Sequence, residues 1–158
     1  MFTPTRTTCI ICGSPQPQIL FNLAESGVPH STPGHRFAYS YKVISVCNKC
    51  GHGQLEAYSH DCFKHYTDEP WEMFWMYAFT PTEVLRLSAK IKNCPDPQNP
   101  QCQCQIHQQL RISSERLWSV PHVESPHGKI TFAWICLDES KPQLQLRLDS
   151  RKGHGQAV

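Results

Sequence analysis

Apolar and polar residues alternate most strictly in Gln143-Leu-Gln-Leu-Arg-Leu148, which puts Leu144, Leu146 and Leu148 on one face at the period of a strand. Lys129–Leu137 is the strongest strand pattern, with Ile130, Phe132, Trp134 and Cys136 sharing a face, and Val120–Glu124 is a weaker one broken by Pro121. Turn residues separate the three, so the C-terminal part predicts an antiparallel β-meander, half-buried on one side. Upstream, Gln18–Leu23 and Tyr39–Val46 read as strands, and Leu55, Ala57 and Ser59 alternate along Gln54–Ser59.

The period changes in the middle of the chain. Val84, Leu85, Leu87, Ser88 and Ile91 fall on one helical face. Thr80-Pro-Thr-Glu83 opens that helix with a cap, a first-turn proline and a capping-box glutamate, and Cys94-Pro95 closes it. Ile106, Leu110, Ser113, Ser114, Leu117 and Trp118 predict a second helix, with Arg111, Glu115 and Arg116 toward water. Trp71, Phe74, Trp75 and Ala78 have helical spacing while Phe74, Met76 and Ala78 have strand spacing. Asp68 as cap and Pro70 in the first turn tip this stretch toward a short third helix.

Composition adds a difficulty that chemistry answers. Only 39% of the 158 residues are apolar, yet nine are cysteines. Two pairs share one form, Cys9-Ile-Ile-Cys12-Gly13 and Cys47-Asn-Lys-Cys50-Gly51. Two intervening residues let both thiolates of a pair face one ion, and the glycine can take positive φ so that amides turn toward sulfur. Cys9, Cys12, Cys47 and Cys50 thus make a tetrathiolate zinc site. The arrangement resembles a zinc ribbon at the site and its flanks, with a metal-locked turn between the second and third strands. Two disulfides, or a redox pair, are the competing readings, but neither pair precedes a helix as a redox site requires.

A second cluster lies in Cys94-Pro-Asp-Pro-Gln-Asn-Pro-Gln-Cys102-Gln-Cys104-Gln-Ile-His107. A polar, proline-rich loop has no packing need for three cysteines. Cys94, Cys102, Cys104 and His107 form a complete Cys3His donor set, making a second structural zinc plausible; a competing layout recruits His60, Cys62 or His65. Cys62 alone and Cys136 read as small buried hydrophobes, and His30 and His35 as solvated loop residues.

The expected fold is α+β: a zinc-ribbon-like knuckle hairpin over about residues 7–60, two or three helices within 68–118, and a β-meander over 119–149. Residues 1–150 form a single domain and 151–158 a polar, frayed tail. Thiolates, an odd cysteine count and no apolar run near the start predict a reducing, cytoplasmic setting, and no 18-residue apolar run predicts a membrane span.

Three functions compete. Closed thiolate sites speak against catalytic zinc, which keeps an open position, so no catalytic residue is assigned. The residual enzymatic candidate is Cys62 with His60 or His65 as base, beside Glu56 and Asp61. Nucleic-acid binding would use Arg36, Lys42, Lys49 and Lys64 with Tyr39, Tyr41 and Tyr58. The formal charge of +2 gives no dense basic field. The preferred reading is a non-catalytic protein–protein interaction module, such as an adaptor, regulator, inhibitor or immunity-type protein. Its partner-binding residues are Tyr66, Asp68, Glu69, Trp71, Glu72 and Trp75, aromatic anchors within an acidic rim.

Overall fold

The computed structural model describes residues 8–27, 38–61, 71–117, 130–150 and 154–157. The elements run β1 (Gln18–Gly27), β2 (Ala38–Val46), β3 (Gly53–Asp61), β4 (Trp71–Phe79), α1 (Pro81–Ile91), α2 (Gln105–Glu115), β5 (Ile130–Leu137), β6 (Leu146–Leu148) and β7 (His154–Ala157). The fold is α+β: among the described residues, one seven-stranded sheet in the order β1-β2-β3-β4-β5-β6, with β7 also on β5. β1 to β4 are successive antiparallel neighbours, in which Val46 faces Gly53 and Gly53 faces Phe79.

Trp71–Phe79 is a strand, not the short helix its start signal suggested. Both of its faces are buried: Trp75, Tyr77 and Phe79 enter one apolar cluster and Phe74, Met76 and Ala78 the other. A strand covered on both sides carries apolar residues at every position, so helical spacing appears in it by coincidence. The C-terminal strands do not form a separate meander. β5 pairs in parallel with β4 through Tyr77↔Ala133 and Ala78↔Trp134, and a parallel neighbour needs a crossover, which here contains both helices. Val120–Glu124 lies outside the described residues. The second strand of the terminal hairpin is interrupted. Ile135 pairs with Leu148, and Ala133 pairs with His154. Part of the expected frayed tail is therefore ladder, and Gly155 leaves room for the Phe132 ring where a Cβ would stand 2.1 Å from it.

The helices cover one sheet face. Val84, Leu87 and Ile91 of α1 and Leu110 of α2 join Phe21, Leu23, Ile44, Leu55, Ile135 and Leu137 in the larger cluster. Leu85, expected on the buried face, is 72% exposed. Thr80 caps α1 by accepting from Glu83 N–H. The Glu83 carboxylate does not close a capping box; it accepts from Leu137 N–H and from Arg86. α2 touches both β1 and β6, strands at opposite ends of the sheet order. Among the described residues no helix is long and apolar enough to cross a membrane.

Candidate metal centres

The β2–β3 connection turns through Cys47–His52. Cys47 N–H donates to His52 C=O at 2.9 Å, and Gly51 N–H donates to Cys47 C=O at 2.8 Å. The N-terminal pair repeats this turn. Cys9 N–H donates to Ser14 C=O and Gly13 N–H to Cys9 C=O, both at 2.9 Å, above a Thr8↔Pro15 bridge. Gly13 at φ +73° and Gly51 at φ +76° occupy the left-handed region that a Cβ disfavours.

The two turns bring four sulfurs together. Cys9 Sγ lies 3.7 Å from Cys50 Sγ, and Cys12 Sγ lies 3.6 Å from Cys47 Sγ. A disulfide needs about 2.05 Å, whereas a tetrahedron of thiolates about 2.3 Å from an ion has edges of about 3.8 Å. The spacing is that of ligands around a metal ion. Ile11 N–H points at Cys9 Sγ at 3.4 Å. Gln54, buried on β3, holds the first turn against the sheet: its Oε1 accepts from Ile10 N–H at 3.0 Å and its Nε2 donates to Thr8 C=O at 3.4 Å.

The second quartet closes within the proline loop and the start of α2. Cys94 Sγ and Cys104 Sγ each lie 3.3 Å from His107 Nδ1, 3.5 Å from one another, and Cys94 Sγ is 3.9 Å from Cys102 Sγ. Cys104 is also the N-cap of α2, its sulfur accepting from His107 N–H. His107 is fully buried, packs against Phe21 in a tilted pair with centroids 4.1 Å apart, and donates from Nε2 to Asn22 C=O at 3.0 Å. That bond fixes the tautomer that leaves Nδ1 bare toward the sulfurs. Arg111, one turn further along α2, was expected in water. Instead it ties Leu23 C=O at 2.7 Å, Cys102 C=O at 2.8 Å, and Pro100 C=O. The loop donors meet one another; of the competing donors, the His60 side chain, Cys62 and His65 lie outside what is described.

Burial pushes the Cys50 and Cys94 thiols up to about 12, while hydrogen bonds from Ser14 hold Cys12 down at about 6. Neighbouring thiolates repel; a divalent ion displaces the remaining protons and its charge offsets that repulsion.

Other candidate residues fare differently. Glu56 is buried and accepts from Tyr41 OH at 3.1 Å. Tyr39, Tyr41 and Tyr58 are buried, the last two stacked at 5.0 Å, so they offer no platform for bases. Lys42 is buried and paired with Glu115 at 2.6 Å; Lys49 is exposed, and Arg36 and Lys64 lie outside the described residues. Trp75, expected as a partner anchor, is only 9% exposed and belongs to the core. Trp71 and Glu72 are on β4, where the backbone alone is described, and Tyr66, Asp68 and Glu69 lie outside the described residues. Three supporting residues escaped sequence reasoning: Gln54, Asn22 and Arg111. Only Arg111 carried a signal, its place four residues after His107 on one helix face.

No family model matches the chain, and neither a curated protein nor a solved structure matches it significantly.

Proposed function

We propose that the chain is a zinc-stabilised, non-catalytic protein-interaction module of adaptor, regulator, inhibitor or immunity type, acting in a reducing compartment. The observation that carries this reading is that both donor sets are complete quartets. Four protein ligands leave no position for water or substrate, so each ion acts as a cross-link rather than a Lewis acid. Thiolates with one imidazole in tetrahedral spacing suit zinc. The paired turns and the metal-locked β2–β3 connection support a zinc-ribbon-like knuckle hairpin. The nucleic-acid alternative loses support because its tyrosines and Lys42 are buried.

The acidic, aromatic segment around Tyr66, Asp68, Glu69, Trp71 and Glu72 remains the expected docking surface, without Trp75. Pull-down with wild type and with Trp71→Ala plus Glu72→Ala tests it, with zinc content and melting temperature confirming that the variant folds. Loss of a specific protein partner from the folded variant is expected. Equal recovery by both chains would remove the patch, and salt-dependent retention of single-stranded nucleic acid would favour the alternative.

A further inference from the structure

The second quartet does more than close a loop: it lies along the outer edge of β1. Asn22 N–H donates to Pro97 C=O at 2.8 Å, and Asn22 C=O accepts from His107 Nε2. Gln98 Nε2 donates to Ile19 C=O at 2.9 Å, and Arg111 binds Leu23 C=O. The loop thus occupies the place of a neighbouring strand, and covering is one way an edge is kept from pairing with another chain.

Apart from Cys102, Cys104 and Ile106, which are partly buried against the larger cluster, little else holds the loop there. None of the side chains 95–106 is buried. Pro95, Pro97 and Pro100 have no N–H to give. Without an ion the cover depends on that partial packing and on a few hydrogen bonds, each worth about 1 kcal/mol net. The closed state also carries a defect. Asn22 is 5% exposed, and its side-chain Oδ1 finds no hydrogen-bond partner among the described residues.

We propose that the second centre is a metal-operated clasp over the β1 edge, and that loss of its ion opens this edge to antiparallel pairing with β1 of a second copy. The inference rests on the reading that this quartet holds zinc. Asn22 selects the occupant. It turns both its N–H and its C=O away from β2, so it can exchange two hydrogen bonds with one residue opposite. A two-fold axis at Asn22 sets the two Asn22 side chains face to face, where the Nδ2 of each copy can supply the donor that Oδ1 lacks. The same axis sets Glu25 opposite Ile19 of the second copy, so no like charges meet. Bulges on either side of Asn22 keep the paired run short.

The test uses the full zinc-loaded chain and its Cys102→Ser plus Cys104→Ser variant. The readouts are zinc per chain, amide exchange over residues 18–27, and sedimentation across a concentration series. The variant is expected to lose one of two ions, to exchange β1 amides at least about tenfold faster, and to dimerise with rising concentration. Adding Asn22→Pro removes the outward N–H but no β1–β2 ladder bond, and is expected to restore the monomer at an unchanged zinc count. Ion loss with β1 exchange unchanged overturns the clasp. Faster exchange in a chain that stays monomeric, or that pairs only with an unrelated strand peptide, overturns the second copy as occupant. A wild-type chain with no ion at this quartet removes the zinc reading and the clasp with it. Should the variant not fold, graded chelation of the wild type gives the same three readouts.

Discussion

Replacing His107 with alanine separates what the imidazole does as packing from what it does as a ligand. The ring is fully buried against Phe21, 4.1 Å between centroids. Truncating a buried ring of this size costs about 2–4 kcal/mol. Asn22 C=O loses its donor, which costs about 1–3 kcal/mol more if nothing replaces it. Ligation is the larger quantity, since structural zinc sites contribute about 10–16 kcal/mol of apparent binding energy. Losing even part of it exceeds the other two and approaches the whole stability of a domain, about 5–15 kcal/mol. His107→Ala is therefore expected to bind one zinc rather than two and to lose at least about 4 kcal/mol in urea unfolding. His107→Cys restores a fourth donor without the bond to Asn22. It is expected to keep two ions and to stay clearly more stable than His107→Ala, losing only the packing of the ring and the bond to Asn22. Metal analysis counts the ions, and cobalt substitution reports ligand type through its charge-transfer and ligand-field bands. If His107→Ala keeps two ions at wild-type affinity, or if cysteine rescues nothing, His107 is a core residue and the second centre is wrongly assembled.

At the first centre, Gln54→Leu strands Ile10 N–H and Thr8 C=O, and second-shell losses of this kind weaken metal binding about 10- to 100-fold. Competition with a chromophoric chelator should show the loss at one site only; weakening of both sites would reject the local account. Gly53→Ala sets a Cβ 2.7 Å from Val84 Cγ2 and 3.3 Å from Phe79 Cβ, for about 1–3 kcal/mol of destabilisation in thermal melts. A second change, Val84→Ala, should recover part of it. In alkali, burial holds the Tyr39 and Tyr77 phenols above their usual 10.0, with Glu25 adding to the effect at Tyr39. The unfolded chain ionises first, so their contribution is whole below pH 10 and declines as pH climbs toward the raised values. Unfolding midpoints from pH 9 to 11.5 should fall, less steeply in Tyr39→Phe, and tyrosinate absorbance should lag until the chain opens. A flat profile would contradict the burial of these hydroxyls.

Local order in the sequence decided the two turns, the two helix starts and most strands. A CxxC-Gly pair has one good way to present two thiolates, and Thr80-Pro81 has one good way to begin a helix. These preferences act within a few residues, so they survive whatever surrounds them. The donor sets were legible for the same reason: sulfur in a polar loop has chemistry to do and no core to fill. Tertiary structure decided the rest. Trp71–Phe79 became a strand because both of its sides are covered, which erases the alternation that would have revealed it. Leu85 points outward because α1 seats Val84, Leu87 and Ile91 on the sheet, and Trp75 points inward because it lies on the helix-covered face of β4. β5 joined β4 in parallel because two helices bridge them, and that pairing drew part of the polar tail into the ladder. The supports of the two centres, Gln54, Asn22 and Arg111, lie 44 to 88 residues from some of the groups they hold. Hydrogen bonds at that separation leave no mark in a local pattern; only the folded chain brings donor and acceptor together.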